Sequence, residues 1–214
     1  IKKIYFLLFK NNFFIDLHEN NHDDSLNMKD FLILSMYLFQ ALNRDNYLNT
    51  SEKQTFLSEI QKRFDKIKPA HKWGFTMSKC KIGRDQWSCQ NHTYSHQLTR
   101  TLYGATFGSS KDYAMGEKMY KFAIDDLKPD GALWREAVRG RWSWRYYAHT
   151  LGLLLSIAEI YKHNGVDLYS YKSDKNGLTI HDAVSFFLES IKDNKKIWLY
   201  AKQLKGVQHY NNFT

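Results

Sequence analysis

From Trp134 to Tyr147 the chain reads Trp-Arg-Glu-Ala-Val-Arg-Gly-Arg-Trp-Ser-Trp-Arg-Tyr-Tyr, which sets four of its eight arginines among three tryptophans and two tyrosines. Most of the remaining cations are lysines, 23 in all. A local switch to arginine favours a planar fork that grips a carboxylate or phosphate through paired hydrogen bonds. Aromatic faces beside such forks suit flat rings such as sugars or bases. The segment therefore reads as a binding surface for an anionic ligand and as part of an active site. Within it, Arg139 and Tyr146 are seven positions apart. On one continuous helix they would lie about 20° apart around the axis and about 10 Å along it; a loop before the helix would bring them closer. A guanidinium beside a phenol favours the phenolate, which gives the tyrosine a way to exchange a proton. The competing reading is an aromatic ring packed on an arginine stem.

A second candidate pair, Asn91-His92, opens a helical stretch. His92 has the chemistry of a general base, and the Asn91 amide can donate to a developing oxyanion. A capping asparagine followed by a half-buried histidine would leave the same trace. Tyr94 and His96 follow within about a helical turn. Just upstream, Cys80 and Cys89 are the only cysteines. They can close a small loop by a disulfide, as in an oxidising compartment, or remain as two thiols. No Cys/His spacing supports a zinc site.

Residues with this chemistry need a scaffold, and the composition supplies one. A chain of 214 residues with 43% hydrophobic and 16% aromatic content has ample material for one packed core. Its net charge of +9 and pI near 9.3 imply attraction to polyanions, whether nucleic acid, anionic lipid or acidic polysaccharide. No apolar run reaches the length of a bilayer-spanning helix. At the N-terminus, Ile1 to Phe9 reads as the remnant of a secretory leader or as a helix cut from a larger domain.

The periodicity is helical throughout. Residues 1–26 are taken as an N-terminal segment, with the Asn, Asp and His rich stretch 10–26 as a connector, and 27–214 as the helical domain. Met28, Phe31, Leu32, Leu34, Ser35, Leu38, Phe39 and Leu42 trace one buried face. Ser51-Glu52-Lys53-Gln54 reads as a capping box opening a helix that Pro69 stops. After a loop through Trp73, Gly74, Gly83 and Trp87, helices are expected over about Asn91–Thr106, from Ser110 to the Pro129-Asp130-Gly131 turn, and over Trp144–His163. Asn164-Gly165 ends the last of these, and further helices follow at Thr179–Ile191 and from Lys195. The expected architecture is all-α, a bundle of helix pairs or an arc of an α/α toroid.

In order and spacing the set Asn91-His92-Thr93-Tyr94, Asp130-Gly131, Arg139 with Tyr146, and Asn164-Gly165-Val166-Asp167-Leu168 resembles the alginate lyase family, most of all its helical, mannuronate-cleaving members of the bacterial periplasm. The resemblance covers about residues 28 to 192. It implies an incomplete α/α toroid of helical hairpins around a substrate groove, and β-elimination of a 1,4-linked uronic acid polymer. Asn91, His92 and Arg139 would neutralise the uronate carboxylate, and Tyr146 would take the C5 proton, protonate the departing O4, or do both. The rival allocation makes His92 the base and Tyr146 the acid. Trp134, Trp142, Trp144 and Tyr147 would stack on neighbouring sugars, Arg135, Arg141 and Arg145 would bind further carboxylates, and Tyr94 and His96 would line the groove. No metal or organic cofactor is implied, and the expected setting is a monomer in the periplasm or secreted. Two departures stand out. The Trp142-Ser143-Trp144-Arg145 insert differs from the family's usual residues, and the family has more helices, including a lid, before its Asn-His pair. A lyase for another polyuronide such as glucuronan is the alternative within the enzyme class. Outside it stand a non-catalytic carbohydrate-binding module and a basic helical module that binds nucleic acid.

Overall fold

The computed structural model describes residues 1–13, 22–67, 77–83 and 89–203, and every regular element among them is helical. Pro69, Trp73, Gly74 and Trp87, placed above in a helix stop and a loop, lie outside the described residues.

The first three helices are α1 (Lys2–Lys10), α2 (His22–Arg44) and α3 (Thr50–Ile67). They meet in an aromatic cluster in which Phe9 packs edge-on to Phe56 at 4.9 Å and Tyr5 stacks on Phe31 at 5.7 Å. Arg63, fully buried, lies over the Phe9 ring at 5.0 Å and donates from Nε to the Phe13 carbonyl at 2.9 Å. The opening residues thus pack into the same core as the rest.

Three details differ from the sequence expectation. α2 starts at His22, inside the stretch read as a connector, because polar residues are compatible with the first turn of a helix. Leu34 turns outward, 60% exposed, while Met36 takes a buried place on the inner face. The capping box sits two residues early. Asn49 Oδ1 accepts the Glu52 N–H at 2.9 Å and Glu52 Oε2 accepts the Asn49 N–H at 2.9 Å, which leaves Ser51 inside the helix.

α4 (Asn91–Phe107) is the hub, packed against α2, α5 (Ser110–Asp125) and α7 (Ser143–His163). Its hairpin with α5 is tight. A Cβ at Gly104 would stand 2.3 Å from the backbone nitrogen of Tyr113, so only glycine permits this approach. α3 is stapled to α4 by Phe64 stacked on Tyr103 at 3.7 Å. Between α5 and α7 lie the single turn α6 (Trp134–Ala137) and a 3₁₀ turn, Gly140–Trp142. α8 (Ile180–Lys192), opened by a Thr179/Asp182 capping box, and α9 (Lys195–Ala201) close the order. Both pack on α7.

Candidate active site

The start of α4 and the turn leading into α7 come together, because α4 packs on α7 and α6 packs beside it. Gln90, extended at the N-cap of α4, gives no side-chain cap to the helix. Its amide oxygen instead accepts from Arg139 Nη1 at 2.5 Å. One turn before Arg139, Glu136 accepts the backbone N–H of Asn91 at 2.6 Å on Oε1, and its Oε2 lies 3.7 Å from Arg139 Nη1. Arg139 precedes the 3₁₀ turn, whose first residue, Gly140, has a positive φ of 60°. The Ser143 hydroxyl locks that turn, 2.6 Å from the Ala137 carbonyl and 2.7 Å from that of Gly140. The chain then enters α7, and the Tyr146 ring comes to lie under the Arg139 guanidinium, 4.3 Å from its centroid. The seven-residue spacing is thus bridged through a turn rather than along one continuous helix.

Asn91 is 2% exposed, and its side-chain oxygen has no hydrogen-bond partner among the described residues. A buried amide oxygen in that state is costly unless a ligand or solvent meets it. His92 follows on the same first turn and is half-buried, as are Arg139 and Tyr146. Asn91-His92 and Arg139-Tyr146 are therefore joined through Gln90 and Glu136.

The flanking candidates divide. Trp142 is 45% exposed and lies under two guanidinium groups, Arg141 at 4.8 Å and Arg145 at 5.8 Å, so these three form an outward cationic and aromatic group. Others are committed to packing. Tyr147 is fully enclosed; its hydroxyl donates to the Ala183 carbonyl at 3.0 Å and accepts the Leu133 N–H at 3.2 Å, which leaves no face for a sugar. Arg135 is held by Asp126 at 2.7 Å and by the Lys81 carbonyl at 2.7 Å. The Trp134 indole N–H is spent on Asp126 at 2.9 Å, and its ring carries Arg135 and Lys128 at 4.8 and 4.9 Å. Trp144 meets Phe187 edge-on at 5.6 Å and lines a cavity of about 20 Å³ with Trp198. Tyr94 and His96 lie inside α4's packed faces, and burial, with Glu136 nearby, drives the Tyr94 phenol far above its ordinary range. The reason is shared: each is covered by a neighbouring helix, cap or loop, and sequence spacing alone does not say which neighbour covers which face.

Cys80 and Cys89 form a disulfide. Its loop is docked on the site's scaffold by Arg135 at Lys81 and by Asp126, which accepts the Gly83 N–H at 3.3 Å. α4 begins two residues past Cys89, so the bridge anchors the approach to Asn91.

The alginate lyase family model matches residues 1–198. The chain belongs to the alginate lyase family. Among solved structures it is similar to alginate lyase A1-III. A tyrosine-to-phenylalanine variant complexed with tetrasaccharide superposes with a TM-score of 0.77 at 18% identity, covering 94% of this chain and 53% of that one. A histidine-to-alanine variant, also complexed with tetrasaccharide, gives the same values. The enzyme from Sphingomonas species A1 gives 0.73 at 19% identity, covering 93% and 53%. This chain thus spans about half the length of those relatives, and its fold is an arc of their helical domain. No curated protein matches it in sequence.

Two residues that join the candidate pairs escaped the sequence reading, Gln90 and Glu136. Both were adjacent to named candidates: Gln90 directly precedes Asn91, and Glu136 lies three before Arg139, where a helical turn brings i and i+3 together. Among the described residues no group of three or more His, Cys, Asp or Glu could hold a metal ion, and no helix is long and apolar enough to cross a membrane.

Proposed function

We propose that the protein is a polysaccharide lyase that cleaves alginate, preferentially its mannuronate stretches, by β-elimination. The observation that carries this reading is the Arg139 guanidinium over the Tyr146 ring, joined through Gln90 to the N-terminus of α4 where Asn91 and His92 sit.

The C5 proton of a uronate is weakly acidic, because removing it places more negative charge beside a carboxylate. Neutralising that carboxylate is the main need. Arg139 supplies a permanent positive charge, and the Asn91 amide and the His92 ring supply N–H donors. Tyr146 takes the C5 proton. The electron pair of the C5–H bond forms the C4=C5 double bond, the C4–O4 bond breaks, and O4 leaves with a proton from Tyr146. In mannuronate the C5 proton and O4 lie on one side of the ring, so a single phenol reaches both. The chemistry needs no cofactor.

Arg141, Trp142 and Arg145 extend the site outward and suit the next sugars along the polymer, Trp142 by stacking and the arginines by their charge. The solved relatives hold a tetrasaccharide in variants lacking a tyrosine or a histidine, which agrees with this assignment. The Cys80–Cys89 disulfide favours an oxidising setting, periplasmic or extracellular, where such a polymer is met.

A panel of polymannuronate, polyguluronate and polyglucuronate, followed by the ultraviolet absorbance of unsaturated uronate ends, tests the reading. Fastest cleavage is expected for polymannuronate. Cleavage of polyglucuronate alone would reassign the substrate, and tight, salt-sensitive nucleic-acid binding with no cleavage would overturn the enzyme class.

A further inference from the structure

Glu136 is 1% exposed, and no step of the elimination above uses it. α4 opens without a side-chain cap at Gln90, so the Asn91 N–H is one of the donors that the first turn of a helix leaves over. Glu136 Oε1 takes that N–H at 2.6 Å, placing a carboxylate at the positive end of the α4 dipole. Its other oxygen lies 3.7 Å from the guanidinium that covers Tyr146. One buried side chain thus touches both halves of the site, one through backbone and one through charge.

We propose that Glu136 is a positioning residue: its carboxylate brackets the N-terminus of α4 to Arg139, sets the spacing between Asn91-His92 and Arg139-Tyr146, and loosens its hold on Arg139 when protonated. This deepens the lyase reading and rests on it.

The surroundings fit such a role. Arg139 and Arg135 are the charged groups on its own stretch, Asn91 and Tyr94 face it from α4, and Thr150 faces it from α7. Burial raises the Glu136 carboxyl to about 7 against the pull of Arg139 and the Asn91 N–H. The bracket therefore changes charge in the neutral range. A buried carboxylate committed only to packing would be served as well by a neutral amide, and that difference makes the role measurable.

Glu136→Gln keeps an acceptor for the Asn91 N–H and removes the charge. In the full-length protein, kcat on polymannuronate is expected to fall at least about 10-fold while KM stays within about twofold. An acid limb of the kcat profile near pH 7 is expected in the wild type and should be absent from the variant. Unchanged kcat with an unchanged pH profile would overturn the proposal, as would a loss that merely follows the folded fraction. A second measurement needs no catalysis. The Arg139 Nε–H resonance, assigned by its absence in Arg139→Lys, should move with pH around 7 in the wild type and stay still in Glu136→Gln. A pH-independent wild-type resonance overturns the bracket even if the enzyme is active. A wild type that cleaves no polyuronate overturns the lyase reading instead, and the resonance still decides whether the bracket exists.

Discussion

Tyr146 and Tyr147 are neighbours in sequence with opposite surroundings. Tyr146 lies half-buried under the Arg139 guanidinium, whereas Tyr147 is enclosed and bonded to the backbone at Leu133 and Ala183. The two tyrosine-to-phenylalanine variants should separate cleanly. Tyr146→Phe removes the proposed proton carrier, so formation of unsaturated uronate should stop while the melting temperature holds. Tyr147→Phe leaves the buried Leu133 N–H without its acceptor and should cost about 1–3 kcal/mol of stability. Denaturant unfolding would read that loss, with kcat per folded molecule unchanged. Arg139→Lys keeps a charge but loses the planar fork that spans Gln90 and Tyr146. Its kcat/KM should drop by about 10²-fold or more, in line with the loss of one preorganised donor to the developing charge. That Arg139 and Tyr146 could lie together was legible from spacing and residue type, whereas a chemical role for the pair came from the family resemblance. Which of two adjacent tyrosines faces inward was not, since consecutive helical residues differ by about 100° and only the position of α8 decides which is covered.

The helices were far more legible than the side chains they carry. α4, α5, α7 and α8 start and stop close to where apolar spacing and terminal signals placed them, α4 as the buried hub and the others with a face packed on a neighbour. Ends set by competition between similar residues were harder. Asn49 and Ser51 both suit an N-cap, and Asn49 wins because Glu52 stands three residues on and answers its backbone N–H. Asn49→Ala should therefore cost about 1 kcal/mol. Ser51→Ala should cost little, a difference that thermal unfolding of the two variants can read. Close approaches between helices were hidden as well. Gly104 appears in the sequence as a glycine inside a helix, which ordinarily weakens it. In the structure it is the contact point of α4 with α5, where an added Cβ meets Tyr113 backbone at 2.3 Å. Gly104→Ala should destabilise by about 1–3 kcal/mol through overpacking, despite alanine's better helix propensity.

Across the whole molecule, the site is a junction of parts far apart in the chain. The disulfide loop, the head of α4 and the turn into α7 are fixed to one another by Asp126, Arg135 and Glu136. Reducing the Cys80–Cys89 bridge, which closes a short loop, should cost about 2–3 kcal/mol. It should also free the segment before Asn91, so activity should fall at temperatures where the reduced protein remains folded. On the lyase reading, the charge of +9 acts at the same scale and would draw a polyanion toward the outward Arg141, Trp142 and Arg145 group. Added salt should raise KM for the polymer and leave kcat nearly constant, since screening weakens attraction at a distance more than contacts inside the site. Arg139 and Tyr146, joined to Asn91 and His92, are proposed to carry out elimination on a uronate polymer. The most direct test is the ultraviolet absorbance of polymannuronate incubated with the full-length wild type and with Tyr146→Phe, both shown to be folded. A steady rise is expected for the wild type and none for the variant. Equal rates in the two, or no rise with the wild type, would contradict the proposal.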